Sequence, residues 1–386
     1  MKILLITDGI APFVVGGMQK HSANLVRELV QLGHHVTLLH CVPHGATLPN
    51  RASVIESMAL DPNSTLKTIC IAFPKAGLFP GHYLKESYVY SKYCFDAVKA
   101  DLTSFDFIYA KGFTAWYFLF QKSKGAQIPP IGVKFHGYEM FQKPLNWRMR
   151  LQHWLLKSPV IWNNRQADFV FSYGGKITSL IEGIGVSSSR IISIPTGIDP
   201  SWIVNTFKAS TSEKRTILFV GRYERRKGIE ELHAVIPGLL QNPKVHFELI
   251  GPIPHSKRLK HDRVTYHGQL TNAAEIKAVM DQCQILVTPS HSEGMPNVIM
   301  EGMSRGLAVV ATDVGAVAAV VDASNGVLIS QINQEALDKA LNQIINVSET
   351  ELDDLRRRSL SKVNEFVWSK IGQVVAKEIG ERVGAQ

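Results

Sequence analysis

The sequence predicts an α/β protein built from two doubly wound domains, each with its own parallel sheet. Three observations carry that reading. Continuous apolar runs of strand length alternate with helical stretches, the pattern of a parallel sheet covered on both faces. The alternation breaks once, at Pro195-Thr196-Gly197-Ile198-Asp199-Pro200 and the small polar run 209–214, and then restarts. At 386 residues the chain also exceeds what one ordinary core organises.

In the first half the expected strands are Ile3–Thr7, Val36–His40, Thr68–Ala72, Phe107–Ala110, Ile131–Phe135, Phe169–Ser172 and Ile191–Ile194. Helices are expected near residues 18–32, 83–102, 114–122, 145–165 and 176–182. After the break come strands Thr216–Val220, Val245–Ile250, Val264–His267, Ile285–Thr288, Ala308–Thr312 and Gly326–Ile329. Helices at Glu230–Leu240, at Ala273–Gln282 and from Pro296 onward separate them, and three helical segments close the chain: Gln334–Ile345, Glu349–Glu365 and Trp368–Arg382. The implied domains are residues 1–200 and 201–368.

Composition narrows the function. An apolar content of 45% with 19% charged residues excludes a disordered chain. The formal net charge of +9 calls for an anionic partner. No basic stripe with interleaved aromatics marks a nucleic-acid module, so that partner is not nucleic acid. No window approaches 18 uncharged apolar residues, and the short run from Met1 to Asp8 reads as a first buried strand, not a signal peptide. Cys41, Cys70, Cys94 and Cys283 lie in or beside apolar runs with no metal-type spacing, as reduced core thiols of a cytoplasmic protein do.

The chemistry is expected where the strands end, because ligands of open parallel sheets sit beyond the carboxyl ends. The densest stretch is 289–315. There a strand stops at Pro289, a polar turn follows, and Pro296 opens a helix whose first backbone N–H groups point into the turn. Such a helix start favours an anion. Glu293 and Glu301 frame it, and carboxylates accept hydrogen bonds from hydroxyls, so a sugar on one side and a ribose on the other would suit them. Upstream, Gly221-Arg222 and Lys227-Gly228 can set two cations on one diphosphate, with Arg225 and Arg226 as a solvated basic loop. Gly16-Gly17 at an early helix start is either a phosphate approach or a plain loop. His136, at a strand end before Gly137, is either a ligand contact or a hydrogen-bonded structural group. Between Trp147 and Lys157, Trp147, Leu151, Trp154 and Leu155 share a helical face flanked by Arg148, Arg150 and Lys157. That stripe suits either a core face or an anionic membrane interface.

No GxxxxGK[ST], GxSxG, HExxH or Asp-x-Asp occurs, so P-loop chemistry is disfavoured and no metal site is indicated. A dinucleotide-dependent oxidoreductase lacks its GxGxxG with a following acid.

Taken in order, these motifs resemble glycosyltransferase family 4: Gly16-Gly17, Gly33-His34-His35-Val36, His136-Gly137, Pro195-Thr196-Gly197-Ile198-Asp199, Gly221-Arg222 with Lys227-Gly228, and Glu293-x7-Glu301 continuing to Gly306 and Thr312-Asp313-Val314-Gly315. The resemblance implies a GT-B fold, two facing Rossmann-like domains with an interdomain cleft. It places about residues 369–386 back on the first, acceptor-side domain and makes the second the donor-binding one. By matching position, Arg222 and Lys227 would hold the diphosphate of the donor. Glu301 would take the ribose and Glu293 the transferred sugar, and Gly221, Gly294, Met295, Pro296, Asn297 and Val298 would line the phosphate site. Gly16 and Gly17 would approach the diphosphate, and His136 the donor sugar. The implied reaction is retaining hexosyl transfer from a UDP- or GDP-linked sugar, with neither cofactor nor metal. The acceptor would be a lipid-linked or envelope glycan, and the enzyme cytoplasmic, in peripheral contact with the inner face of the membrane. A nucleotide-sugar epimerase of the same fold, or a silent nucleotide-sugar-binding protein, would share these motifs. Met18 after Gly-Gly departs from the pattern, and residues 80–95 match none of it, leaving the acceptor pocket undefined.

Overall fold

The computed structural model describes residues 1–77, 79–142, 144, 146–209 and 213–384. The chain forms two compact units, one of Met1–Thr196 with the chain from Trp368 onward, the other of Gly197–Val367.

The first unit contains strands β1 (Lys2–Ile6), β2 (His35–Val42), β3 (Lys67–Ala72), β4 (Phe107–Lys111), β5 (Ile131–Lys134), β6 (Phe169–Ser172) and β7 (Ile191–Ser193). They form one sheet in the order β3-β2-β1-β4-β5-β6-β7, and every pairing is parallel. Helices α1 (Gly17–Gln31), α2 (Arg51–Ser57), α3 (His82–Val98), α4 (Trp116–Ser123), α5 (Trp147–Gln166) and α6 (Gly175–Gly183) connect them. In the second unit β8 (Arg215–Val220), β9 (Val245–Ile250), β10 (Val264–Gly268), β11 (Ile285–Thr288), β12 (Ala308–Thr312) and β13 (Gly326–Ile329) form a parallel sheet ordered β10-β9-β8-β11-β12-β13. Helices α7 (Ile229–Leu239), α8 (Ala273–Met280), α9 (Asn297–Ser304), α10 (Gln334–Ile345) and α11 (Glu349–Val363) accompany it, and α12 (Trp368–Gly384) closes the chain on the first unit.

In each sheet the strand order reverses between two neighbours, β1 and β4 in one, β8 and β11 in the other. The loops there diverge to opposite faces and leave a crevice at the carboxyl ends, where such folds bind ligands. The central strands β1, β4 and β11 are buried along nearly their whole length. That explains why they read as unbroken apolar runs rather than alternating ones.

Four local differences from the sequence reading have physical causes. α2 was not expected. Its seven residues show no apolar period and are fixed by side chain–backbone bonds instead: the Asn50 side chain caps the Ser53 N–H, and Arg51 donates to the carbonyls of Pro62, Ser64 and Leu66. The helix expected over 83–102 stops at Val98, and residues 102–104 form a separate 3-10 turn. α5 starts at Trp147 because the Asn146 side chain caps the Met149 N–H, while the expected start at residue 145 lies outside the described residues. Pro296 stands outside α9 as its cap residue, in an extended conformation.

The α5 stripe is not core. Trp147 is 69% exposed, Trp154 71% and Leu151 40%. No helix among the described residues is long and apolar enough to cross a membrane. All four cysteines are free; three are buried and Cys70 is half-buried.

Candidate active site

In the second unit the side chains singled out by the sequence gather at the ends of β8 and β11. β8 runs out through Gly221 to Arg222, whose guanidinium is 65% exposed and 3.1 Å from Glu224. A 3-10 turn, Arg225–Lys227, then leads to Gly228, which has φ +69°. A Cβ there would lie 1.8 Å from the Pro289 carbonyl oxygen, so only glycine lets the β8 loop seat on the end of β11. That seating aims Lys227 at the next loop. Lys227 Nζ donates to Glu293 Oε1 at 2.5 Å, and Ser290 Oγ donates to the same oxygen at 2.8 Å.

Arg226 is not the solvated residue expected of a basic loop. Its backbone carbonyl accepts from the His291 N–H, and its guanidinium lies 3.7 Å from Glu293 Oε2 and 3.6 Å from Glu224. Arg225 is exposed, as expected. Glu293, only 8% exposed, is therefore held by two cations and a hydroxyl. A carboxylate this buried needs such partners, because unpaired burial of a charge is costly. The sequence reading gave Lys227 and Glu293 to different parts of a ligand; the structure joins them as one pair.

The turn that carries Glu293 is held from the other side. Gly315, at φ +59°, brings its backbone so close that a Cβ would lie 2.2 Å from the carbonyl oxygens of both Glu293 and Gly294, and the Ala316 N–H donates to Gly294 at 2.8 Å. Met295 and Pro296 are buried beneath the start of α9, Val298 is half-buried and Asn297 exposed. No side chain caps α9, so its first amides open toward the loop that bears Glu293. Glu301 lies on the second turn, half-buried. Cations, helix start and acids thus share one strand-end crevice, an arrangement suited to a phosphorylated, hydroxyl-rich ligand.

In the first unit Gly16 is the cap residue of α1 and Gly17 its first residue. His136 follows β5 and lies half-buried among groups the sequence reading did not pick out. Its Nδ1 lies 2.5 Å from the Tyr173 hydroxyl and its Nε2 3.3 Å from Lys111 Nζ. Lys111 is also 2.8 Å from His21 Nδ1. Lys134, paired with Lys111 across β4 and β5, donates to the Ile194 carbonyl and sits 3.9 Å over the Tyr173 ring. Among the described residues no carboxylate lies within ion-pair distance of either lysine.

Burial and the neighbouring Lys134 hold the Lys111 ammonium well below its ordinary value, and burial alone pulls Lys134 down to about 7. Burial, then the nearby lysines, also push both His21 and His136 well below the usual imidazole range. Asp8, which follows β1, has its carboxyl raised by burial. Asp8 and Lys111 both sit at ends of the central strands. The same strand-end rule that found Arg222 and Glu293 would have found them, had it been applied to single polar residues rather than motifs. Among the described residues no cluster of His, Cys, Asp and Glu is arranged to hold a metal ion.

Two family models match the chain: Glycosyltransferase Family 4 over residues 15–202 and Glycosyl transferases group 1 over residues 214–346. The chain belongs to glycosyltransferase family 4. The "Putative teichuronic acid biosynthesis glycosyltransferase TuaC" of Bacillus subtilis (strain 168) is 34% identical over 129 residues, which is 33% of this chain and 32% of that protein. The chain thus spans about a third of the length of that relative. Among solved structures, sucrose-phosphate synthase from Thermosynechococcus elongatus superposes with a TM-score of 0.75 at 18% identity, covering 100% of both chains. Anabaena Alr3699/HepE in complex with UDP-glucose gives 0.65 at 17% identity over 100% of both. These likenesses establish the GT-B fold for this glycosyltransferase.

Proposed function

We propose that this family 4 glycosyltransferase moves a hexosyl unit from a UDP- or GDP-linked sugar to an acceptor hydroxyl with retention of configuration and without a metal. The acceptor is a lipid-linked or envelope glycan, made on the cytoplasmic side of the membrane. The observation that carries the reading is the Lys227–Glu293 pair, set beside the open start of α9.

On this reading the donor diphosphate enters between Arg222, Lys227 and the first amides of α9. Its charge takes over Lys227, and Glu293, released from that cation, accepts hydrogen bonds from the sugar hydroxyls. Glu301 holds the ribose. The bond from the anomeric carbon to the diphosphate oxygen breaks with its electron pair leaving on that oxygen. The acceptor oxygen bonds to the anomeric carbon on the same face, and its proton passes to the departing oxygen. Fixed cations and the helix start meet the charge that develops, and a preorganised donor of this kind contributes about 3–4 kcal/mol. HepE, solved with UDP-glucose at the same fold, supports a nucleotide sugar as the donor.

The test supplies UDP- and GDP-sugars one at a time and follows nucleoside diphosphate release and sugar identity, with and without a glycolipid extract. Acceptor-dependent release of nucleoside diphosphate, with an α-linked product from an α-linked donor, supports transfer with retention. Conversion of the sugar alone makes the protein an epimerase, and binding without turnover makes it a silent nucleotide-sugar-binding protein.

A further inference from the structure

Residues 79–84, at the start of the segment the resemblance left without a role, wall a groove in the structure. The segment leading into α3 and the outer face of α5 enclose about 780 Å³, between Phe79 and Tyr83 on one side and Trp147, Leu151 and Leu155 on the other. That volume lies within the roughly 300–1,000 Å³ of sites that enclose organic ligands. Phe79, Tyr83, Trp147 and Leu151 are all exposed, an apolar concentration that soluble surfaces seldom leave without a purpose. Cations stand at the rim: the Arg148 guanidinium lies 5.4 Å from the Trp147 ring, and Lys85 Nζ 5.9 Å from the Phe79 ring.

Tyr83 and Leu156 also line a second cavity, of about 160 Å³, whose mostly apolar walls include Asp8, Lys111 and His136. At that volume it falls below the range that encloses a whole ligand and suits only the tip of one. An apolar trough with cations at its lip thus lies beside a smaller chamber at the ends of β1 and β4, with Tyr83 and Leu156 between them.

We propose that the groove seats the hydrocarbon chain of an amphipathic acceptor, a sugar-bearing lipid with an anionic headgroup. The headgroup meets Lys85 and Arg148 at the rim. The term acceptor rests on the transferase reading; the occupancy of the groove does not. Concavity favours a single chain over a bilayer surface, because a trough buries methylenes on several sides whereas a membrane covers protruding side chains. The cationic rim selects an anionic head over a neutral one.

The full chain is titrated with octyl, decyl and dodecyl phosphate below their micelle concentrations, followed by tryptophan fluorescence. A blue shift that saturates is expected, with affinity tightening roughly tenfold for each two added carbons until the groove is full. Leu151→Asp, whose side chain already faces solvent, should weaken dodecyl phosphate at least tenfold with an unchanged circular dichroism spectrum. Trp147→Ser is the second variant should Leu151→Asp not fold. Affinity independent of chain length, or unchanged in the variant, overturns the proposal. Binding to phosphatidylglycerol vesicles with none to the monomeric phosphates gives the face to a bilayer instead. A concentration-dependent mass in light scattering, abolished by Leu151→Asp, gives it to a second copy. Lys227→Ala should keep alkyl phosphate binding while losing the nucleotide, so failure of the groove and failure of the donor site are separate results.

Discussion

The two crevices hold their cations in opposite ways. In the second unit Arg222, Arg226 and Lys227 all stand within 4 Å of a carboxylate, and of those carboxylates Glu293 is largely buried whereas Glu224 is not. In the first unit Lys111 and Lys134 are fully buried and face imidazoles, a carbonyl and an aromatic ring. A cation with a carboxylate partner can exchange that partner for a phosphate. A buried lysine without such a partner holds its proton less tightly, Lys134 with a pKa of about 7, and can serve as a hydrogen-bonding amine. The first arrangement suits a charge clamp, and the second suits a polar but weakly charged wall around hydroxyls.

That contrast can be broken at its strongest point first. Gly228→Val puts a side chain against the Pro289 carbonyl, which cannot move without shifting β11, and adds strain at a positive φ. Unfolding of the second unit in urea should become easier by about 3 kcal/mol or more. Next, Lys227→Ala should lower kcat/KM at least ~100-fold by removing a charge-stabilising donor. Steady-state kinetics on the identified donor decide it, and near-normal turnover would end the clamp assignment.

The unpaired lysines give a smaller effect with a definite sign. Lys134 has a folded pKa of about 7 against an unfolded one near 10.4, so between those values the unfolded chain binds more protons. Its contribution to stability is therefore unfavourable below pH 7 and fades as pH rises toward 10. Lys134→Met should fold, and its urea midpoint should rise less between pH 7 and 9.5 than that of the parent. An identical pH dependence would show that Lys134 stays charged through its contacts with the Tyr173 ring and the Ile194 carbonyl. The smallest effect belongs to the surface: Trp154→Ala, at a 71% exposed side chain, should change stability by no more than about 0.5 kcal/mol in the same assay.

The parallel sheets were legible because burial on both faces turns β1, β4, β8 and β11 into apolar runs that no polar position interrupts. The second-unit site was legible because it is local: Gly228, Glu293 and Gly315 are positions where the backbone approaches itself, and glycine and acid spacing record that directly. The first-unit cluster was hidden because its members come from four separate elements. Lys111 and Lys134 read as ordinary charged ends of strands, and only the pairing of β4 with β5 sets them side by side. Arg226 was misread for a similar reason, since in Arg225-Arg226-Lys227 nothing but the turn geometry says which residue faces inward. The α5 stripe shows the converse failure, because a helical period reports which residues share a face but not what that face meets.

The most direct test of the clamp is the thermal midpoint of the full chain with UDP and GDP, in the parent and in Lys227→Ala. A ligand that binds the native state alone raises the midpoint in step with its concentration. One of the two nucleotides should raise it in the parent, and Lys227→Ala should lose most of that rise. An equal rise in both proteins, or none with either nucleotide, would contradict a donor site built on Lys227 and Glu293.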